Sequence, residues 1–199
     1  MKVTLEKTFP MPASANTAWA LLQGIEGVAN CMPGAKITER IDDRHYKGTV
    51  SVKFGPASMS FRGEVEVRGI DAATQTLRLF AKGTDTTGSS AASMDLTARV
   101  EAVDAASCNL LGTSEVSMSG KAATFGGRMM GSVADQVLKQ FAANFATQVQ
   151  ALQARQVVDA PAAAPVLEPT QEPAQLNGLA LMWAVIKDWL RSLFGAKKA

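Results

Sequence analysis

At 199 residues the chain has room for one domain of ordinary size and a short appendage. Its composition, 47% hydrophobic and 19% charged, is that of a globular protein and excludes a wholly disordered one. A formal net charge of +2 gives no case for a nucleic-acid partner; residues 177–199 hold four cations against one anion, a net +3, which leaves −1 for the remainder.

The first segment alternates. Val3, Leu5 and Phe9 fall on one side of Thr4, Glu6 and Thr8, as in a half-buried strand. Lys7 breaks the apolar parity, which admits a bulge or a strand end there. The opening MKVTLEKTFP lacks the apolar core of a signal peptide, so the protein is expected not to be secreted. Ser14 can cap a short helix over ANTAWALLQ, with Trp19 and Leu22 on one side, and GIEGVANC reads as a second short helical segment. Pro33-Gly34, inside MPGAKI, marks a turn.

Strands follow. In HYKGTVSVKFGP, Tyr46, Gly48, Val50, Val52 and Phe54 share a face opposite His45, Lys47, Thr49, Ser51 and Lys53. In MSFRGEVEVRG, Met59, Phe61, Gly63, Val65 and Val67 oppose Arg62, Glu64, Glu66 and Arg68. TLRLFAKGT, SSAASMDLTARVEAV and SCNLLGTSEVSMSG read as three more strands, and Met94, Leu96, Ala98 and Val100 form the dry side of the second of these. One dry and one wet face per strand is the mark of an antiparallel sheet. From Lys121 to Gln153 the period changes. Met130, Val133, Ala134, Val137, Phe141, Phe145, Val149 and Leu152 recur at helical spacing with no internal proline. The order is one strand, two short helices, about six strands and one long helix, without internal repeats. A curved antiparallel sheet wrapped around the long helix buries both apolar faces, which is an α+β helix-grip architecture.

Residues 1–155 are thus expected to form the grip, 156–176 a Pro/Ala-rich flexible linker, and 177–199 an amphipathic helix. In the tail, Leu179, Met182, Trp183, Ile186, Trp189, Leu190, Leu193 and Phe194 form one broad helical face, and Lys197 and Lys198 close it. The uninterrupted run LALMWAVI is far shorter than the ~20 residues that span a bilayer. An in-plane anchor on a membrane surface fits better, with tryptophans at the interface and lysines toward anionic lipid. The same face would also serve for docking on the domain or on a partner protein.

The interior suggests an apolar guest. There are nine methionines against eight phenylalanines and one tyrosine, and Met59, Met94 and Met118 fall on inward strand faces. Met129 and Met130 open the long helix, and Met32 lies in the CMPG turn. Methionine adapts to an apolar ligand, although it also fills irregular cores. Gly48, Gly63, Ala81, Gly83, Ala92 and Ala98 add small residues to the same faces and leave space there. The expected cavity lining is Met32, Tyr46, Phe54, Met59, Phe61, Met94, Met118, Phe125, Met129, Met130, Val133 and Val137. Tyr46 is the inward polar handle, able to bond a ligand carbonyl or simply the backbone. In GKAATFGGRMMG, the glycines around Phe125 and Arg128 admit a gate at the cavity mouth or a plain loop-to-helix transition.

Catalytic groups are scarce. The single histidine, His45, falls on a wet face, as do Glu64, Glu66 and Asp95, and Asp85 and Thr86 fall in a turn. Cys31 and Cys108 match no metal spacing and have no adjacent His or carboxylate. No catalytic residue and no metal site is expected.

With these pieces in order, the domain resembles the START-like (SRPBCC) superfamily. Within it, the chain resembles the CoxG-like family, which accompanies molybdenum-dependent carbon monoxide dehydrogenase systems. The resemblance rests on CMPGAK, YKGTVSVKFGP, FRGEVEV, GTDTTGSSAA and VSMSGKAATFGGRMM, over about residues 1–150. It implies a non-catalytic accessory protein on the cytoplasmic face of the inner membrane. Such a protein binds an apolar ligand, a quinone of the menaquinone kind, with no covalently bound cofactor. It serves a carbon monoxide dehydrogenase-type molybdenum hydroxylase and links it to the respiratory chain. A recruitment factor without cargo, or a helix-grip cyclase or hydrolase acting on an apolar substrate, are the competing readings.

Overall fold

The computed structural model describes residues 1–54 and 57–159. Strand β1 (Lys2–Met11) is followed by helices α1 (Ala15–Leu22) and α2 (Ile25–Cys31). Six strands come next: β2 (Ala35–Arg40), β3 (His45–Phe54), β4 (Ala57–Asp71), β5 (Thr76–Asp85), β6 (Ser90–Ala102) and β7 (Cys108–Gly120). A 3-10 turn (Lys121–Phe125) leads into the long helix α3 (Gly126–Asp159). The seven strands form one antiparallel sheet in the order β1-β7-β6-β5-β4-β3-β2. Every neighbour but β1 is thus a hairpin neighbour, and β1 closes the far edge on β7. The element order expected from the sequence is the order observed.

Local chemistry accounts for the joints. Ser14 caps α1, its Oγ accepting from the Thr17 amide at 3.3 Å. At Pro33-Gly34 the Ala35 amide donates to the Met32 carbonyl at 3.1 Å, and Gly34 has φ +76°. This is the arrangement of a type II turn, with proline then glycine at its centre. Pro10 is tolerated in β1 because an edge strand leaves alternate amides unused. Lys7 marks neither a bulge nor a strand end: β1 pairs with β7 without a register shift from Lys2 to Met11.

The core sits where α3 meets α1, α2 and the hairpin ends of β2–β3, β4–β5 and β6–β7. Met11, Trp19, Leu22, Cys31, Leu77, Val100, Cys108, Leu110, Phe141, Phe145 and Val149 are all buried there. Phe141 and Phe145 pack at 5.8 Å between ring centroids. Polar side chains hold the helices in place. The Ser14 amide donates to Gln153 Oε1 at 2.9 Å, Thr17 Oγ1 to Gln156 Oε1 at 3.0 Å, and Asn144 Nδ2 to the Cys31 carbonyl at 2.9 Å. The long helix runs to Asp159, past the expected boundary at 155, and the chain divides after Ala160. No proline interrupts it before Pro161, so nothing stops it earlier. The expected linker therefore starts inside α3; the rest of it and the tail lie outside the described residues.

Tight coiling of the sheet rests on one row of residues. Across the strands, Gly48 pairs with Gly63, Gly63 with Gly83, and Gly83 with Ala92. A Cβ on Gly63 would lie 2.0 Å from the Lys82 carbonyl oxygen, and one on Gly48 would lie 2.8 Å from that of Lys36. These glycines do more than leave room inside; their strands approach too closely for any side chain. Gly63→Ala is expected to destabilise the fold by about 2–3 kcal/mol through overpacking against backbone. Gly69→Ala, where an added Cβ meets nothing within 4 Å, is expected to be neutral or slightly stabilising. Chemical denaturation of the two variants beside the parent measures both.

Candidate functional site: the open half of the grip

The inward faces divide into two halves. Toward the hairpin ends they are closed: Val67, Leu77, Leu79, Ala98, Val100, Cys108 and Leu110 are buried. Toward the far ends of β3 and β4, and on β6, β7 and β1 beside the glycine row, they are open. Val3, Leu5, Val50, Val52, Met59, Met94, Val116 and Met118 are only half-buried, although they face the helix. The facing side of α3 repeats the change, from half-buried Met130, Val133 and Val137 to buried Phe141, Phe145 and Val149. Solvent thus reaches apolar side chains between sheet and helix. Half-buried methionines on facing walls form a surface that can close around an apolar molecule.

Six of the twelve expected lining residues fall on these half-buried faces. Met59, Met94, Met118, Met130, Val133 and Val137 share the open half, and Met32 lies half-buried beside the start of β2, packed against the core. The side chains of Phe54, Phe125 and Met129 lie outside those described. Phe61 faces inward but is 6% exposed, the exception among its neighbours. Tyr46 is also 6% exposed and belongs to the closed core, its hydroxyl donating to the Asp43 carbonyl at 3.4 Å beneath the Arg40 guanidinium. Its polar end is therefore committed to the β2–β3 turn, and it is no free handle. The anchor residues Leu179, Met182, Trp183, Ile186, Trp189, Leu190, Leu193, Phe194, Lys197 and Lys198 lie outside the described residues.

The glycine-rich segment after β7 is helical and no loop: Lys121–Phe125 forms the 3-10 turn and Gly126 opens α3 directly. What holds this entrance is a polar clasp that parity does not show. Asp85, 8% exposed, accepts from Thr87 Oγ1 at 2.6 Å, the Ser90 amide at 2.8 Å and Ser89 Oγ at 3.2 Å. Ser90 Oγ in turn accepts from the Ala122 amide at 2.9 Å, and the Lys121 amide donates to the Ser89 carbonyl at 3.1 Å. The β5–β6 turn thereby fixes the start of the gripping helix. The run of hydroxyl residues after Asp85, TTGSS, is the available sequence signal.

A second polar feature lies on the opposite edge. Lys7 faces inward from β1 and pairs with Asp135 of α3, Nζ to Oδ1 at 2.8 Å. It is this partner across the grip that explains the broken parity of β1.

Among the described residues, the other groups able to do chemistry lie away from the open half. His45 is exposed and bonded through Nδ1 to Asp42 at 2.9 Å. On the outer face Glu64 pairs with Lys82, and Glu66 and Asp95 pair with Arg68. Burial pushes the thiols of Cys31 and Cys108 up, which disfavours the reactive thiolate. Among the described residues no cluster of His, Cys, Asp or Glu could hold a metal, and no helix is long and apolar enough to cross a membrane.

Residues 8–150 match the family of the carbon monoxide dehydrogenase G subunit (CoxG). The chain belongs to the CoxG family. Among solved structures, the CoxG fold is shared with a conserved protein from Geobacillus kaustophilus, at 18% identity and a TM-score of 0.68 over 75% of this chain and 96% of that one. It is shared with the Zhui aromatase/cyclase from Streptomyces sp. R1128 at 15% identity and a TM-score of 0.56, over 75% and 94% of the two chains. A START superfamily protein from Mycobacterium smegmatis matches at 17% identity and a TM-score of 0.52, over 75% and 98%. These likenesses establish the START-like helix-grip fold. No curated protein sequence matches this CoxG chain.

The clasp makes stability depend on acid pH. The Thr87 hydroxyl first, then the Ser90 amide and Ser89 hydroxyl, hold the Asp85 carboxyl below its ordinary value. A carboxyl depressed in the folded state contributes stability that is complete above the unfolded value, about 3.9, and is lost as pH falls through the folded one. Thermal midpoints are expected to hold steady down to about pH 4.5 and to fall below it. Asp85→Asn is expected to lower the midpoint at pH 7 and flatten that acid limb, which calorimetry from neutral to strongly acid pH would read.

Proposed function

We propose that this CoxG protein is a non-catalytic accessory protein that takes an apolar ligand, a respiratory quinone of the menaquinone kind, into the open half of its grip. It serves a carbon monoxide dehydrogenase-type molybdenum enzyme from the cytoplasmic face of the membrane. The carrying observation is the band of half-buried inward methionines, Met59, Met94, Met118 and Met130, between sheet and helix. Family membership supports the accessory role and the partner enzyme. The spacing of Leu179, Met182, Trp183, Ile186, Trp189, Leu190, Leu193 and Phe194, with the closing lysines, supports an in-plane anchor. A tethered carrier gains from such an anchor because its cargo is dissolved in that same bilayer.

Organic extraction of the purified full chain, followed by mass spectrometry, is expected to release an isoprenoid quinone. Protein that carries none and binds none when it is added would remove the carrier reading. Met59→Trp, which fills the open half from a half-buried position, is expected to weaken quinone binding about tenfold, some ~1.4 kcal/mol, with little change in melting.

Removal of residues 177–199 is expected to shift the protein from the membrane pellet to the supernatant. Continued sedimentation of the truncated chain with membranes would show that the tail is no anchor.

A further inference from the structure

The inward-facing positions of β1 and β3 to β7 carry two charged side chains among the described residues, Lys7 and Asp85. Asp85 is spent on the clasp, its oxygens taken by Thr87, Ser89 and Ser90. Lys7 is not. It lies between half-buried Leu5 and Phe9, where an apolar residue would continue the face, and it pairs across the sheet with Gly112. A Cβ on Gly112 would find no neighbour nearer than Leu96 Cδ1 at 4.0 Å, so the space beside the lysine stem is unfilled. The pair with Asp135 leaves the two side chains 40% and 51% exposed. An ion pair this accessible adds little to stability, so folding does not account for a lysine at this place.

The chemistry of the pair is specific. An ammonium has three N–H donors, and Asp135 takes one, which leaves donors for an incoming oxygen. The carboxylate balances the charge, so the pair is neutral overall. A neutral head bearing a carbonyl oxygen accepts from Nζ without displacing Asp135. An acid head would bring a second carboxylate against the first, and like charges that close repel. We propose that Lys7, held in place by Asp135, recognises a carbonyl oxygen on the head of a neutral apolar ligand, and that Asp135 excludes acids of similar length. This assignment rests on the reading of the open half as an apolar-ligand site and names the head group that site selects.

The test compares three probes on the full chain by calorimetric titration. They are a 1,4-naphthoquinone with a two-isoprene tail, a naphthalene with the same tail, and a saturated fatty acid of matched length. The parent is expected to prefer the quinone over the naphthalene by about tenfold, the scale of a hydrogen bond from a charged donor. Lys7→Met is expected to abolish that preference while naphthalene affinity stays within about twofold. Asp135→Asn, which leaves β1 unaltered and so serves even if Lys7→Met does not fold, is expected to raise fatty-acid affinity at least fivefold, roughly 1 kcal/mol. Retention of the quinone preference in Lys7→Met, or no gain of acid binding in Asp135→Asn, overturns the assignment. Equal binding of quinone and naphthalene by the parent removes the role of Lys7 and leaves the apolar-ligand reading standing. Binding of none of the three overturns both.

Discussion

A seven-stranded sheet can coil around a single helix only if some strands pass closer than side chains permit. Here that constraint is met by Gly48, Gly63 and Gly83 in register, with Ala92 completing the row. The carbonyl of Lys82 occupies the place a Cβ of Gly63 would need. The row runs through the open half, with Val50 and Met59 on one side and Met94 and Val116 on the other. Toward the core, large side chains from sheet and helix interdigitate; around the row, half-buried methionines line the walls.

The two halves are held by different physics. Apolar burial dominates the closed half, where Phe145, Val149 and Leu77 have no exposure and glutamines and an asparagine of α3 bond to α1 and α2. The open half relies on polar contacts at its margins: the Asp85 clasp at the helix entrance and Lys7 with Asp135 at the β1 edge. Polar contacts can be exchanged for water or for a ligand at modest net cost, whereas emptying a packed core leaves a cavity that nothing refills. A protein that must fill and empty one space without unfolding benefits from that division.

Much of this is legible in the sequence because strand parity survives over β3 to β7 apart from one shift in β4 between Val67 and Gly69, and the shift to helical spacing after Lys121 marks the gripping helix. The inward methionines follow from the same parity. What parity does not reveal are residues whose role is fixed by distant partners. Lys7 reads as a fault in the β1 pattern because its counter-ion lies on α3. Tyr46 reads as an available hydroxyl because its bond to the Asp43 carbonyl depends on how the β2–β3 turn folds back. Asp85 reads as an ordinary turn residue, although the hydroxyls that bury it follow directly in the chain. The helix end is hidden for a simpler reason: apolar spacing fades after Leu152, but the backbone continues helical until proline approaches.

Helix α3 is packed into the core from Phe141 onward and tied before it by polar contacts, at Lys7–Asp135 and at the clasp on its entrance, so it acts as a lever latched at its tip. From Phe141 back to Gly126 it rises about 22 Å at ~1.5 Å per residue. A tilt of roughly 10° about Phe141 therefore sweeps the first turn through about 4 Å, the contact distance between two carbons. Motion that small at the pivot leaves the aromatic packing intact, yet at the tip it separates walls that touch from walls that admit a hydrocarbon chain. The aperture at the far end is thus set jointly by the packing of Phe141, Phe145 and Asn144 and by the clasp that ties Ser90 to Ala122.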